Sequence, residues 1–142
     1  MFIGQYFHNL DEKGRVAVPA KFRAQLKSAV VTKGLDSCLF LYPKKEWDKM
    51  AQGIADLPID KSGNRAFSRA MLAGAVEVEF DKQGRIILPD YLRRFASLAK
   101  NVVIAGLYNR LEIWDESRWN EYQSNSEKNF TDIAEALRDL KA

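Results

Sequence analysis

Apolar and polar residues alternate in two stretches of the chain that lie 70 residues apart. Residues 6–10 place Tyr, His and Leu on one face, and residues 76–80 place Val, Val and Phe on one face with glutamates on the other. Alternation of β-forming residues predicts a strand with one buried face. His8 occupies the position of Val78, so we interpret this single histidine as a packed residue rather than a catalytic or metal-binding one.

Each of these strands leads into the same turn and the same second strand. Residues 11–19 read DEKGRVAVP, and residues 81–89 read DKQGRIILP. Gly14 and Gly84 supply the positive φ that a tight hairpin needs. Asp11 and Asp81 suit the turn entrance, where a short carboxylate accepts backbone N–H bonds. The pattern predicts a β-hairpin that ends at a proline, and the proline then begins a short helix over 20–26 or 90–96.

The repeat continues beyond this helix. Apolar runs predict two more strands in each copy, at 30–32, 38–42, 102–104 and 111–114. Gly34 and Gly106 are expected in the turns between them, and Trp47 and Trp119 on a following helix. Each unit is then β-β-α-β-β plus a helix. Since a unit of about 45 residues is near the lower limit for an independent core, the two copies should pack or interleave into one shared β-core.

The remaining segments are a linker and a C-terminal helix. The composition of 57–63 (LPIDKSG) is typical of a linker, and 64–72 has helical spacing. Apolar residues then recur at helical intervals after the polar stretch 124–126, at Phe130, Ile133, Ala134, Leu137 and Leu140. They predict an amphipathic helix that packs either on its own core or on a neighbouring subunit. We divide the chain into unit 1 (5–47), a linker with short helices (48–75), unit 2 (76–119) and a C-terminal amphipathic helix (120–142).

Composition predicts a soluble globular protein. Hydrophobic residues make up 46% and charged residues 29% of the chain, which is ordinary for that class. No apolar run approaches the roughly 20 residues that span a bilayer, and the first residues do not resemble a signal peptide. Cys38 is the single cysteine, so it forms no internal disulfide and is interpreted as a small packed residue. We expect a cytoplasmic protein with no membrane partner.

The net charge of +3 is unevenly distributed. Residues 1–70 hold 12 Lys and Arg against 7 Asp and Glu, for +5, whereas residues 71–142 hold 10 against 12, for −2. A basic half suggests a polyanionic partner that faces the first copy. The alternative interpretation is a surface that is merely solvated.

The residues usually needed for catalysis are missing from the sequence. Acid-base or nucleophilic catalysis needs an activated group and a second group that orients it. The chain has one histidine and contains no HExxH, GxSxG or Walker-type motif. We therefore expect no enzyme, no cofactor, no metal site and no small-molecule substrate.

The hairpin tip is the candidate site. Lys13 and Arg15 flank a glycine, and a two-stranded ribbon can enter the major groove of DNA. The planar fork of arginine can bind a phosphate or the O6/N7 edge of guanine. A salt bridge across the turn is the competing interpretation, which we favour for the aspartates, while we favour nucleic-acid contact for Arg15. The candidate DNA-binding residues are Lys13, Gly14, Arg15, Lys21, Arg23, Lys82 and Arg85, and the residues assigned to the turn are Asp11, Asp81 and Gly84.

The motif from Asp11 to Arg23, DxKGRxxxPxxxR, resembles that of the swapped-hairpin transcription factors that include AbrB and SpoVT. Two tandem copies, with LYPxxxW at 41–47 and WDxxxW at 114–119, resemble the MraZ family more narrowly. The resemblance covers about residues 1–120. It implies an α+β, β-rich fold in which two tandem AbrB-like swapped-hairpin units form a shared double-psi-like barrel with peripheral helices.

The resemblance also implies a function. It implies a sequence-specific DNA-binding transcriptional regulator that binds double-stranded DNA upstream of the division and cell-wall gene cluster containing its own gene. It further implies association with the nucleoid and assembly into a homo-oligomeric ring. Because head-to-tail contacts in a ring present each hairpin in the same rotational sense, we expect direct repeats rather than palindromes. The alternatives are a nonspecific nucleoid-associated architectural protein and a protein-interaction scaffold.

Overall fold

A computed structural model describes residues 1–141, and their side chains as far as residue 138. The described chain contains the strands β1 (Phe2–Asn9), β2 (Arg15–Ala17), β3 (Ala29–Lys33), β4 (Leu39–Pro43), β5 (Val76–Val78), β6 (Arg85–Ile87), β7 (Asn101–Tyr108) and β8 (Leu111–Asp115). Its helices are α1 (Ala20–Arg23), α2 (Lys44–Ala55), α3 (Ser62–Ser68), α4 (Asp90–Phe95), α5 (Glu116–Lys128) and α6 (Phe130–Lys141). A 3-10 turn, Ala24–Leu26, extends α1, and a π-helical turn, Arg69–Ala73, extends α3.

The strands of the two units interleave. One antiparallel sheet has the order β1-β7-β8-β4-β3-β5, and β2 pairs with β6 in a separate two-stranded ribbon. The first strand of each unit therefore pairs with the third strand of the other unit, and the second strands pair with each other. Neither unit can complete its sheet alone, which confirms the predicted α+β fold of tandem, interleaved units.

Each face of the large sheet has its own apolar core. On one face lie the ribbon, α1 and α4, and the buried side chains of Val16, Val18, Ile86 and Leu88 join the sheet residues in the larger cluster. On the other face lie α2, α5 and the π-helical turn, over a smaller cluster. The ribbon is thus fixed to the sheet by its inner face, which leaves its other face outside.

Two strands are longer than the sequence indicated. β1 begins at Phe2 and β7 reaches Tyr108, so Gly106 lies inside a strand, opposite Gly4, and not in a turn. A Cβ on Gly106 would lie 2.5 Å from the backbone nitrogen of Ile3. The predicted turn position of Gly106 was wrong because this glycine allows β1 to pack closely along β7.

The C-terminal segment 120–142 was predicted as one helix and forms parts of two. α5 begins at Glu116, where Asp115 caps its first turn, and ends at Lys128; α6 follows after Asn129. The exposed side chains of Phe130, Ile133 and Leu137 rule out docking of this stripe on the chain's own core. Leu140, the last residue of the predicted stripe, has a side chain outside the described region, and Ala142 lies outside it altogether.

Candidate nucleic-acid interface

The first hairpin is closed by the carboxylate of Asp11. Its Oδ1 accepts hydrogen bonds from the backbone N–H groups of Lys13 (2.9 Å) and Arg15 (2.8 Å). Its Oδ2 accepts one from Nε of Arg15, at 2.6 Å. The single carboxylate of Asp11 therefore stabilises the turn and holds the Arg15 side chain at Nε, as the salt-bridge interpretation predicted.

The second hairpin repeats this arrangement. Asp81 Oδ1 accepts from the N–H groups of Gln83 and Arg85, both at 2.9 Å, and Oδ2 accepts from Arg85 Nε at 2.9 Å. In both turns the glycine has positive φ, +78° at Gly14 and +77° at Gly84. These matching geometries explain why the aspartate, the glycine and the arginine occur in both copies.

The hydrogen bonds from the turn also set the charge state of the aspartates. The backbone N–H of Arg15 is the largest influence that lowers the pKa of Asp11 below its usual value, and that of Arg85 lowers the pKa of Asp81 in the same way. The guanidinium groups lower both pKa values further. Both carboxylates are therefore ionised at neutral pH, and in this charged form they accept the hydrogen bonds from the arginine Nε groups.

The ribbon presents both arginines on its outer face. Arg15 pairs with Ile87, and Ala17 with Arg85, while the intervening pair of Val16 and Ile86 is fully buried. Because side chains alternate across a strand, the pairs on either side of Val16 and Ile86 point away from the core. The side chains of Arg15 and Arg85 are 28% and 27% exposed. Among the described residues, the Arg15 side chain has a hydrogen-bond partner only at Nε, and neither of its Nη groups has one.

The two arginines differ in one contact. Arg85 Nη1 lies 3.6 Å from Asp11 Oδ2, in addition to the bond that Arg85 Nε makes to its own aspartate. The corresponding contact of Arg15 with Asp81 is absent from the described part of the chain. Arg85 is thus shared by two carboxylates and links the two hairpins, whereas Arg15 is held by one.

A second pair of arginines, Arg23 and Arg93, gives a further reason why both turns contain a glycine. Nε of Arg23 donates to the carbonyl of Val18 (2.9 Å), and its guanidinium packs against Gly84 of the other unit. Arg93 donates to Leu88 in the same way, and a Cβ on Gly14 would lie 2.7 Å from its guanidinium carbon. Each turn glycine is therefore covered by an arginine from the opposite unit.

This packing changes the interpretation of two predicted site residues. Gly14 is buried, so its position offers no support for its own predicted contact with DNA. Arg23 is half-buried, and the contacts described for it are with protein. The retention of an arginine eight residues after the motif arginine in both copies was the available signal, but the partner lies in the other unit and could not be read from spacing.

The lysines lie in two settings. Lys13 and Lys82 are exposed on the tips of the hairpins, next to Glu12 and Gln83 respectively. Lys21 is on α1, and its Nζ lies 4.7 Å from the centre of the Tyr6 ring, a cation–π contact. Within the described part of the chain, each tip therefore offers one lysine without an ion-pair partner, and Lys21 lies on α1 against an aromatic ring.

Other candidate chemistry was also located. Cys38 is buried, and burial raises the pKa of its thiol, so it is an inert packed residue as expected. His8 is half-buried, and burial together with Arg23 lowers its pKa. Within residues 1–138 no three His, Cys, Asp or Glu side chains come together as a possible metal site. Over the same region, every helix is too short or too polar to cross a membrane.

Comparison with known proteins places the chain in context. The model of one family, described as "MraZ protein, putative antitoxin-like", matches twice, at residues 1–70 and 71–141. A protein of Natranaerobius thermophilus named transcriptional regulator MraZ is 53% identical over 141 residues, with 99% of each chain covered. Proteins of the same name from Halothermothrix orenii and Pediococcus pentosaceus are 50% and 53% identical over the same length, also with 99% of each chain covered.

Proposed function

This chain belongs to the MraZ family, and we propose from this membership and from the ribbon geometry that it is a DNA-binding transcriptional regulator. The observation that carries the proposal is the outer face of the β2–β6 ribbon, where Arg15 and Arg85 are fixed at Nε and directed outward. Because its Nε is already held, such a guanidinium loses little conformational entropy when it contacts a phosphate or guanine. The name of these relatives, transcriptional regulator MraZ, supports the same conclusion.

The ribbon suits a groove of duplex DNA. A two-stranded β-ribbon fits the major groove, where arginine reads guanine at O6 and N7. In this proposal the exposed lysines at the tips, Lys13 and Lys82, neutralise backbone phosphates. In this arrangement the arginines supply base recognition and the lysines supply position and salt-dependent affinity.

Three further features belong to the same proposal. The regulator acts at direct repeats upstream of the division and cell-wall gene cluster that contains its own gene, and it resides in the cytoplasm on the nucleoid. It works as a homo-oligomeric ring, because one small hairpin binds weakly and several on one rigid assembly gain affinity through effective concentration. A head-to-tail ring presents its ribbons in one rotational sense, which fits direct repeats.

Binding to DNA from upstream of its own gene tests the proposal. We expect a labelled duplex with the natural repeats to bind more tightly than a shuffled duplex of equal length. We also expect affinity to fall steeply with salt, because each neutralised phosphate releases counterions. Equal affinity for both duplexes would support the architectural alternative, and no binding at low salt would contradict the proposed function.

A further inference from the structure

Two apolar surfaces remain uncovered in the described part of the chain. The first, the β1 patch, consists of Ile3, Phe7 and Leu107 on the outer side of β1 and β7. The second, the α6 stripe, consists of Phe130, Ile133 and Leu137. Their exposed fractions run from 39% at Leu107 to 70% at Phe130. Apolar side chains grouped in this way mark interaction surfaces more often than isolated ones do.

The internal repeat shows what normally covers such a patch. The π-helical turn after α3 lies over β3, where Met71 is buried and its carbonyl accepts a hydrogen bond from the Thr32 hydroxyl at 2.7 Å. This is the side of the sheet where β3 pairs with β5. The equivalent side in the other half is where β7 pairs with β1. There Trp119 of α5 donates a hydrogen bond to Gln5 Oε1 (2.8 Å), and the apolar side chains on either side of Gln5, Ile3 and Phe7, remain exposed.

The two edge strands, β1 and β5, also carry different residues at the equivalent outward position. Phe7 and Glu77 are equivalent in the repeat, 70 residues apart, and each points to the outer side of its strand. β5 is three residues long and carries an exposed glutamate, which discourages pairing or packing with another chain. β1 is eight residues long, and residues 2–9 contain no Lys, Arg, Asp, Glu or Pro. β1 therefore lacks the devices that usually protect an exposed edge.

The helix that would cover the β1 patch by analogy cannot reach it within its own chain. In the first half, six residues (56–61) separate α2 from α3 and allow α3 to turn back over the sheet. In the second half only Asn129 separates α5 from α6. Two antiparallel helices need a connection of about 2–5 residues. α6 therefore leaves the body of the protein, and its stripe has to be covered from outside the chain.

We propose that the α6 stripe of one copy packs on the β1 patch of the next copy, and so supplies the cover that α3 and its π-helical turn supply within the first half. The lengths match: the seven residue-to-residue steps of helix from Phe130 to Leu137 span about 10 Å, and the four steps of strand from Ile3 to Phe7 span about 13 Å. The uncharged β1 segment requires no ionised group to lose its water.

This contact is head-to-tail, because donor and acceptor are different surfaces of one chain. Such contacts generate a ring when the rotation between successive copies closes, and an open filament when it does not. The inference rests on the proposed function in one respect, which is that the proposed regulator works as a homo-oligomer. The contact between stripe and patch identifies the surfaces through which that oligomer forms.

The test measures native mass by light scattering in the absence of DNA. Phe7→Glu places on β1 the residue that occupies the equivalent position of β5, and Leu137→Glu puts a charge in the stripe. We expect each variant to fall from an oligomer to the 16.2 kDa chain mass with an unchanged circular dichroism spectrum. Ile59→Glu is the matched control: Ile59 is 81% exposed and lies outside both surfaces, so the oligomer should persist.

Mixing the two variants makes the test specific. Copies with Phe7→Glu retain an intact stripe, and copies with Leu137→Glu retain an intact patch, so the mixture can form one contact and no second. We expect dimers of twice the 16.2 kDa chain mass and nothing larger. An oligomer that survives Phe7→Glu would mean that stripe packs on stripe; survival of Leu137→Glu would mean that β1 meets β1. Either result, or a monomeric parent protein, overturns the proposal.

The outcome is separate from that of the proposed function. Mass is measured without DNA, so the contact between copies can fail while the parent protein still binds its repeats. If the parent assembles as proposed and binds no duplex, the function fails and the interface remains.

Discussion

The two hairpins have nearly the same backbone but differ in how their arginines are held. Arg15 is paired with one carboxylate, whereas Arg85 is shared between Asp81 and Asp11. The tips differ as well: residues 11–15 carry two acidic and two basic side chains, and residues 81–85 carry one acidic and two basic ones. The comparison separates what both hairpins share, the turn made by the aspartate, the glycine and the arginine, from what differs between them, the second carboxylate at Arg85 and the charges of the tips.

The largest expected effect concerns the shared part of the hairpins, namely the turn glycines. Gly14→Ala and Gly84→Ala each force a side chain into positive φ, at a cost of about 1–3 kcal/mol, and push a Cβ against an arginine of the opposite unit. Urea unfolding should show a loss of stability in both variants. The loss should be greater for Gly84, where the arginine lies closer.

A double variant tests whether the cross-unit arginine accounts for part of this cost. Arg93→Ala combined with Gly14→Ala should be less destabilising than the sum of the two single changes, because the clash is removed. Strict additivity would show that the contact between Gly14 and Arg93 contributes nothing to the cost.

The next effect concerns the part in which the hairpins differ. Arg15→Ala should weaken binding of the natural duplex by at least about tenfold and leave the melting temperature nearly unchanged, since a partly exposed ion pair contributes about 1 kcal/mol or less. Arg85→Ala should weaken binding less and destabilise the fold more, because Arg85 links the two hairpins. Fluorescence anisotropy and thermal unfolding of both variants measure this.

Arg94→Ala is the control for this pair. Arg94 is also an arginine bound to an aspartate, Asp90, but it belongs to α4 and not to the β2–β6 ribbon. We expect unchanged affinity. A large fall in melting temperature of Arg15→Ala with intact DNA binding would reverse the roles given to the two arginines.

The smallest effect concerns acid. The pKa values of Asp11 and Asp81 are lowered in the fold, so their contribution to stability is fully present above the ordinary aspartate value of 3.8 and is lost as pH falls through the lowered value. Asp11→Asn and Asp81→Asn should each flatten the acid limb of the stability curve. The change should be greater for Asp11, which also contacts Arg85; equal curves would remove that distinction.

The sequence predicted the local structure well because local structure depends on neighbouring residues. The alternating strands, the positive φ of Gly14 and the Asp–Arg pairs follow from spacing alone. The contact between Arg23 and Gly84 does not, because it depends on the pairing of β2 with β6 from the other unit. The apolar pattern predicted the α6 stripe but left open whether it packs on its own core or on a neighbouring subunit, since that depends on a one-residue connection whose end-points the pattern does not define.

A crosslink from the outer face of the ribbon tests the central claim most directly. Ile87 is the cross-strand partner of Arg15 and is 59% exposed, so a photoreactive amino acid at position 87 lies beside the proposed contact. We expect it to crosslink to the natural duplex on illumination, and the same group at position 59 to give no product. Crosslinking from position 59 alone, under conditions where both proteins bind DNA, would contradict the assignment of the β2–β6 ribbon as the DNA-binding surface.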